Sequence, residues 1–252
     1  MAFCQLNYHS DALGKAGAAN IILPDASSKG PYPVFYLLHG LSDDHSIWMR
    51  RTSLDRYAGQ YPFIIVMPDG GRGFYVDAIA GFAYETAIAR DLIGFVDGTF
   101  NTIAAREGRC IGGLSMGGYG AMHFVLKYPQ LFVSAHSHSG ALGFGHDQAR
   151  WADSVLQIEM ERLVGKSPQG SDFDLHALVE NADTAQLPAL SIDCGKDDFL
   201  IEENRAFHAH LENFNIPHEY REYSGAHDWA YWDLHIQAAL KFHARHLGIS
   251  AS

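Results

Sequence analysis

Ile111-Gly112-Gly113-Leu114-Ser115-Met116-Gly117-Gly118 is the stretch from which the chain is best read. It contains Gly113-x-Ser115-x-Gly117, a G-x-S-x-G pattern. Upstream, Arg109-Cys110-Ile111 begins a short apolar run that suits a buried strand; downstream, Tyr119 to Tyr128 suits a buried helix. A Ser between a strand and a helix, flanked by glycines, is what a nucleophile elbow requires. The turn must be sharp so that the hydroxyl stands clear of the sheet. Glycines at 113 and 117 remove the Cβ atoms that would collide as strand and helix converge. The pattern is also common as a plain glycine-rich turn, so its meaning rests on the rest of the chain.

Outward from this stretch, strands alternate with helices. Phe3 to Tyr8 and Ala18 to Leu23 read as an antiparallel edge pair joined through Leu13-Gly14-Lys15. Val34 to Leu38 and Phe63 to Met67 are continuous apolar runs of the kind buried on both faces of a parallel sheet. Between them lie a polar loop with Trp48 and a short helix around Leu54 to Ala58. Ile88, Leu92, Phe95 and Val96 recur at helical spacing within Glu85 to Phe100. Phe132 to Ser139, Leu187 to Cys194 and His218 to Tyr223 are further strands. Arg150 to Val164, Glu203 to Phe214 and Trp229 to His246 are predicted helices. The pattern predicts a mostly parallel, twisted sheet of about eight strands with helices on both faces. Residues 1–252 are expected to form a single domain. Ala141 to Gln186 is expected to lie over the sheet as a cap-like insertion, being too poor in apolar residues to hold its own core.

Composition narrows the function classes. The 252 residues carry a formal net charge of −11, which argues against nucleic acid and anionic membrane as partners. No apolar run approaches the roughly 18 residues of a membrane span, and Met1 to Ser10 lacks the pattern of a secretory signal. Cys4, Cys110 and Cys194 are odd in number and widely spaced, which fits a reducing, cytoplasmic compartment better than a disulfide framework. No C-x-x-C pair marks a zinc site, and no cofactor is expected. His136 and His138 alternate on one strand and so face the same side. That spacing suits a metal, but no third ligand is evident in the sequence, and they read as packed or partly exposed histidines.

Ligands of an open α/β sheet gather at the carboxyl ends of its strands. Ser115, then Asp197 and Asp198, then His227 fall at such ends, in the Ser–acid–His order of an α/β-hydrolase triad. His227 would take the serine proton as general base, and an Asp would hold the imidazole tautomer. Which of the two Asp does so is open from spacing alone. Backbone N–H groups of Leu41 and Met116 are the expected oxyanion donors, each worth roughly 3 kcal/mol in the transition state. His39 is expected to shape its loop.

Five segments then carry a resemblance: Leu37 to Ser42 with Trp48, Met67 to Tyr75, Gly112 to Gly120, Cys194 to Leu200 with Asn204-Arg205, and Gly225 to Trp229 with Trp232. Together they resemble the esterase D family of α/β-hydrolases, and within it the small bacterial tributyrin-type carboxylesterases. The resemblance covers nearly the whole chain and is weakest from Ala141 to Gln186. It implies an α/β-hydrolase fold and a serine carboxylesterase acting through an acyl-enzyme, with Ser115 as nucleophile, Asp198 as acid and His227 as base. His136 and His138 depart from the small or apolar residues usual there. The substrate is expected to be a small ester with a short acyl group, since the chain lacks room for a large lid. Trp48, Phe74, Tyr75 and Trp151 are candidate pocket residues, and Phe82, Tyr84 and Phe144 are further candidates for its wall. S-formylglutathione thioesters, acetylated sugars or feruloyl esters are alternative substrates. A catalytically silent binding module is the alternative outside enzymes. Homo-oligomerisation is left open.

Overall fold

The protein is described by a computed structural model that covers residues 1–25, 29–147, 152 and 154–249. β1 (Ala2–Ser10) and β2 (Lys15–Leu23) form the antiparallel pair, with Gly14 turning between them at φ +62°. β3 (Val34–Leu38) leads to two short helices, α1 (Ile47–Arg51) and α2 (Leu54–Ala58), and then to β4 (Ile64–Pro68). The segment around Trp48, expected to be a loop, is thus partly helical.

The helix expected over Glu85 to Phe100 starts as α3 (Tyr84–Thr86), passes through a π-helical stretch at Ala87–Leu92, and ends as α4 (Ile93–Thr99). β5 (Arg109–Leu114) and α5 (Met116–Lys127) flank Ser115, and β6 (Ser134–His138) follows. α6 (Gln157–Val164) is shorter than the stretch predicted from Arg150. α7 (Leu175–Glu180) was not anticipated, because six residues are too few to show a periodicity. β7 (Ala189–Gly195), α8 (Ile201–Asn213), β8 (His218–Tyr223) and α9 (Trp229–His246) complete the chain.

The eight strands make one sheet in the order β1-β2-β4-β3-β5-β6-β7-β8, parallel from β4 to β8. This is the expected α/β-hydrolase architecture. Alternation along each strand divides the core in two. Val34, Tyr36, Leu38 and Ile111 face one side, against Tyr119 and Met122 of α5 and Phe207 of α8. Phe35, Leu37 and Cys110 face the other, against Ile236 and Leu240 of α9. Met160, Leu163, Leu175 and Val179 of α6 and α7 pack into the first of these cores.

At the centre, β3, β5 and α5 approach closely. A Cβ at Gly117 would lie 2.6 Å from the Leu38 carbonyl oxygen, and one at Gly113 would lie 2.7 Å from the Gly117 carbonyl oxygen. These contacts are backbone, so they cannot swing aside. We expect Gly117→Ala to cost roughly 3 kcal/mol by forcing the helix off the sheet. Thermal unfolding checks this, and a melting temperature equal to wild type contradicts it.

Glu85 joins α3 to α5 on the same face. It is buried against His123 Nε2 at 2.7 Å and Lys127 Nζ at 3.0 Å, and it accepts the Tyr128 hydroxyl proton. Burial pushes its carboxyl up, but His123, Tyr128 and Lys127 outweigh this and hold it at about 2, against the ordinary 4.5. The folded value lies below the unfolded one. The stabilisation is therefore complete above about 4.5 and is lost as pH falls towards 2. Glu85→Gln is expected to lower stability near neutral pH by about 3 kcal/mol. The deficit shrinks on acidification, as read from melting temperature against pH; a deficit constant with pH would contradict the linkage.

Candidate active site

Ser115 sits between β5 and α5 at φ 52°, ψ −115°, a strained conformation for a residue with a Cβ. It is pinned there by neighbouring backbone. Its N–H donates to the His138 carbonyl at 2.9 Å, and its carbonyl accepts from Tyr119 and Ala141 N–H groups, each at 3.0 Å. The hydroxyl is thereby lifted off the strand end towards the loop after β8.

Three side chains from three strand ends meet at this point. His227 Nε2 lies 3.1 Å from Ser115 Oγ. On the other side of the ring, His227 Nδ1 lies 2.9 Å and 3.0 Å from the two carboxylate oxygens of Asp198. A proton on Nδ1 would satisfy the carboxylate and leave Nε2 free to accept from the serine. Asp198 is buried, whereas Asp197 is exposed, which separates the two carboxylates that spacing left equivalent. Burial pushes the Asp198 carboxyl up, but the His227 ring, the Leu200 N–H at 2.8 Å and the Ser139 hydroxyl outweigh it, so the carboxyl ends below its ordinary value. It stays ionised near neutral pH.

Leu41 and Met116 flank the serine from the β3 loop and from the first residue of α5. Neither N–H donates to another described protein group, so both are available to a bound oxygen. The β3 loop is held rigidly. His39 Nδ1 lies 2.8 Å from the Gly40 carbonyl, and its Nε2 accepts the Gly70 N–H at 2.9 Å. The Tyr75 hydroxyl accepts the His39 N–H at 2.9 Å and donates to the His39 carbonyl at 3.0 Å. His39 therefore shapes its loop, as expected.

An open cavity of about 510 Å³ lies over Ser115. Phe74 lines it, together with Leu41, Leu114, Leu156, Phe199 and Trp232. Two other expected wall residues are displaced from it. Trp48 is fully buried behind the site, where its Nε1–H donates to the Leu38 carbonyl at 3.0 Å and its ring meets Trp229 edge-on. Tyr75 is equally buried and braces the His39 loop. Phe144 is stacked on Phe74 at 3.8 Å beneath the surface, and Phe82 lies in a different groove beside α6. Trp151 lies outside the described residues. Sequence reading missed Leu156, Phe199 and Trp232 as wall residues. Phe199 stands 67% exposed with its ring 4.4 Å from His227, and its place directly after Asp198 was the available signal.

The charge balance of the cavity is acidic. Arg51 is the only Arg or Lys among its described lining residues, and Asp43 and Asp228 line it too. Burial raises the Asp43 carboxyl above its ordinary value, and His39, the Gly40 backbone and, least, Arg51 counter that only in part.

The protein-family model Esterase, described as "Putative esterase", matches residues 10–243. The acetyl esterase of Caldicellulosiruptor saccharolyticus is 32% identical over 263 residues, spanning 96% of this chain and 98% of the relative. Among solved structures, the fluorophosphonate-binding serine hydrolase F of Staphylococcus aureus, with substrate bound, superposes with a TM-score of 0.85. It is 32% identical and covers 96% of this chain and 97% of its own. The S-formylglutathione hydrolase of Staphylococcus aureus gives a TM-score of 0.84 at 31% identity, covering 96% of this chain and 98% of its own. With a family match over most of its length and relatives that align almost end to end, the chain belongs to the Esterase family.

Proposed function

We propose that the chain is a serine carboxylesterase for short-chain acyl esters, with Ser115 as nucleophile, His227 as general base and Asp198 as the group that orients it. The observation that carries the reading is the unbroken chain of contacts from Ser115 Oγ through His227 to Asp198, at 3.1 Å and 2.9 Å. Its standing as a carboxylic ester hydrolase agrees with its family and with the serine hydrolases among its relatives. The finer assignment to the esterase D group, near tributyrin-type carboxylesterases, rests on the five sequence segments. A cytoplasmic setting is supported by three free cysteines, Cys4, Cys110 and Cys194. No described helix is long and apolar enough to cross a membrane.

In the proposed reaction Ser115 Oγ attacks the ester carbonyl carbon as its proton passes to His227 Nε2. The carbonyl oxygen takes the negative charge and is met by the Leu41 and Met116 N–H groups. Collapse of the tetrahedral species breaks the bond to the alcohol oxygen, which leaves with the proton from His227. A water molecule then repeats the sequence on the acyl-enzyme, yielding the carboxylic acid and free Ser115. Asp198 stays ionised throughout and stabilises the imidazolium.

The cavity favours a short acyl group and an alcohol without negative charge. About 510 Å³ lined largely by apolar side chains holds a small ester, and one Arg against two Asp gives little attraction for an anionic alcohol. The glutathione thioester reading has a relative behind it but no basic cluster among the described lining residues of the cavity.

Ser115→Ala is expected to lower hydrolysis of p-nitrophenyl butyrate at least about a thousandfold and to abolish fluorophosphonate labelling. Asp198→Asn should lower kcat on the order of 10⁴-fold while leaving KM nearly unchanged, because the imidazole then favours the wrong tautomer. Turnover by Ser115→Ala equal to wild type would reject the mechanism. A substrate panel tests the specificity: higher kcat/KM on S-formylglutathione than on acetyl and butyryl esters would replace the ester reading with the thioester one.

A further inference from the structure

Away from Ser115, the described residues contain two places where His and Asp side chains converge. The first is His136, His138 and Asp193, on the face of the sheet covered by α9. Strand register sets it up, because His138 pairs with Asp193 across β6 and β7. Its converging atoms are already matched. His136 Nε2 and His138 Nδ1 lie 2.8 Å and 2.9 Å from one Asp193 oxygen, and the Tyr231 hydroxyl donates to the other at 2.6 Å. The outward nitrogens, His136 Nδ1 and His138 Nε2, are buried without a partner. A histidine that ligates a metal through one nitrogen normally donates the N–H of the other. These two have no acceptor for it, so this trio is a closed hydrogen-bonded network.

The second place has the opposite character. His146 lies in the loop after β6, while Asp174 and His176 open α7. Asp174 is held firmly, since its side chain is only 2% exposed and it accepts the backbone N–H groups of His176 and Gly170, each at 2.9 Å. His146 Nδ1 lies 3.0 Å from Asp174 Oδ2. His176 Nδ1 lies 3.7 Å from Asp174 Oδ1, too far for a hydrogen bond, and it has no hydrogen-bond partner among the described residues although its side chain is 90% buried. An inward-facing imidazole nitrogen is thus left unsatisfied beside a carboxylate.

We infer that His146, Asp174 and His176 form a binding site for a divalent first-row transition ion of the zinc type. Two imidazoles and one carboxylate are the ligand set such an ion prefers. Ligand bonds near 2.1 Å in a tetrahedron put neighbouring ligand atoms about 3.4 Å apart. Measured to the one oxygen Asp174 Oδ1, the separations of 3.1 Å from His146 Nδ1 and 3.7 Å from His176 Nδ1 bracket that value. His146 is 38% exposed, so its ring has room to adjust. Its proton can move to Nε2 and remain hydrated there, and water can complete the coordination. The ion would satisfy the stranded His176 nitrogen and cross-link the loop after β6 to the start of α7. That loop also carries Ala141, which lines the cavity over Ser115, so the clamp would brace one wall without touching the reacting atoms. The inference stands independently of the esterase reading.

Calorimetric titration of chelator-treated protein with zinc chloride tests it, with cobalt(II) absorption as a second readout. Wild type is expected to bind one ion at this site, and His146→Ala and His176→Gln each to weaken it at least tenfold. Zinc should also raise the melting temperature of wild type more than that of either variant. Asp174 is left intact because its carboxylate caps α7. His146→Ala is the safer variant, since its side chain is partly exposed. Absence of zinc binding by wild type overturns the inference. So does a zinc affinity, or a cobalt spectrum, that His146→Ala leaves unchanged, because with 15 histidines in the chain such binding would lie elsewhere.

Discussion

Everything at the candidate site depends on how closely β3, β5 and α5 come together. Backbone meets backbone at Gly113, Gly117 and Leu38, at separations that exclude a Cβ. That approach puts the start of α5 directly beside the loop that follows β3. Two peptide N–H groups far apart in sequence, at Leu41 and Met116, consequently flank one hydroxyl. The same tight turn forces Ser115 into a positive-φ conformation that it would not adopt alone. The hydrogen bonds from β6 and α5 to its backbone hold it there. The strain and the geometry of the site are one feature seen from two sides.

A second layer of buried polar contacts fixes the loops that this approach brings together. Tyr75 and His39 close the β3 loop with hydrogen bonds to its own backbone. Trp232 reaches back from α9 to Ser139, with its indole N–H 3.3 Å from the Ser139 hydroxyl, and its ring stands edge-on to His227. Asp193, beneath them, is pushed up by burial but held far below the ordinary carboxylate value by His138 and His136. The bound His pair and Tyr231 therefore surround a permanent negative charge inside the sheet. Breaking such a cluster on one side strands a charge, so it favours one arrangement of β6, β7 and α9 over looser alternatives. Rigidity of this kind suits the proposed reaction, in which the donors would face the oxygen before charge develops on it.

Much of this was legible in the residues themselves. Apolar runs at Val34 to Leu38 and Phe63 to Met67 mark buried strands, because only a strand covered on both faces is apolar throughout. The glycines around Ser115 mark an elbow because only glycine fits where two backbones touch. That Ser115, Asp198 and His227 fall on the same edge of the sheet follows from the common chain direction of its parallel strands. The aromatic residues were harder to read. Trp48, Phe74 and Tyr75 sit in equally suggestive segments, yet Phe74 lines the cavity while Trp48 and Tyr75 lie behind it. An aromatic ring serves core and pocket equally well, so its type carries no information about which it does.

The sequence alone therefore determined the sheet, the elbow and the strand ends at which the proposed catalytic groups lie, since these follow from local sterics, apolar periodicity and chain direction. Tertiary structure decided the rest. It separated Asp198 from Asp197 by burying one and exposing the other. It brought Asp193 to His136 and His138, and His176 to His146, through strand register and loop packing across long sequence separations. Contacts of that kind depend on which elements end up adjacent and in what register. A linear pattern records the faces of each element but not its neighbour.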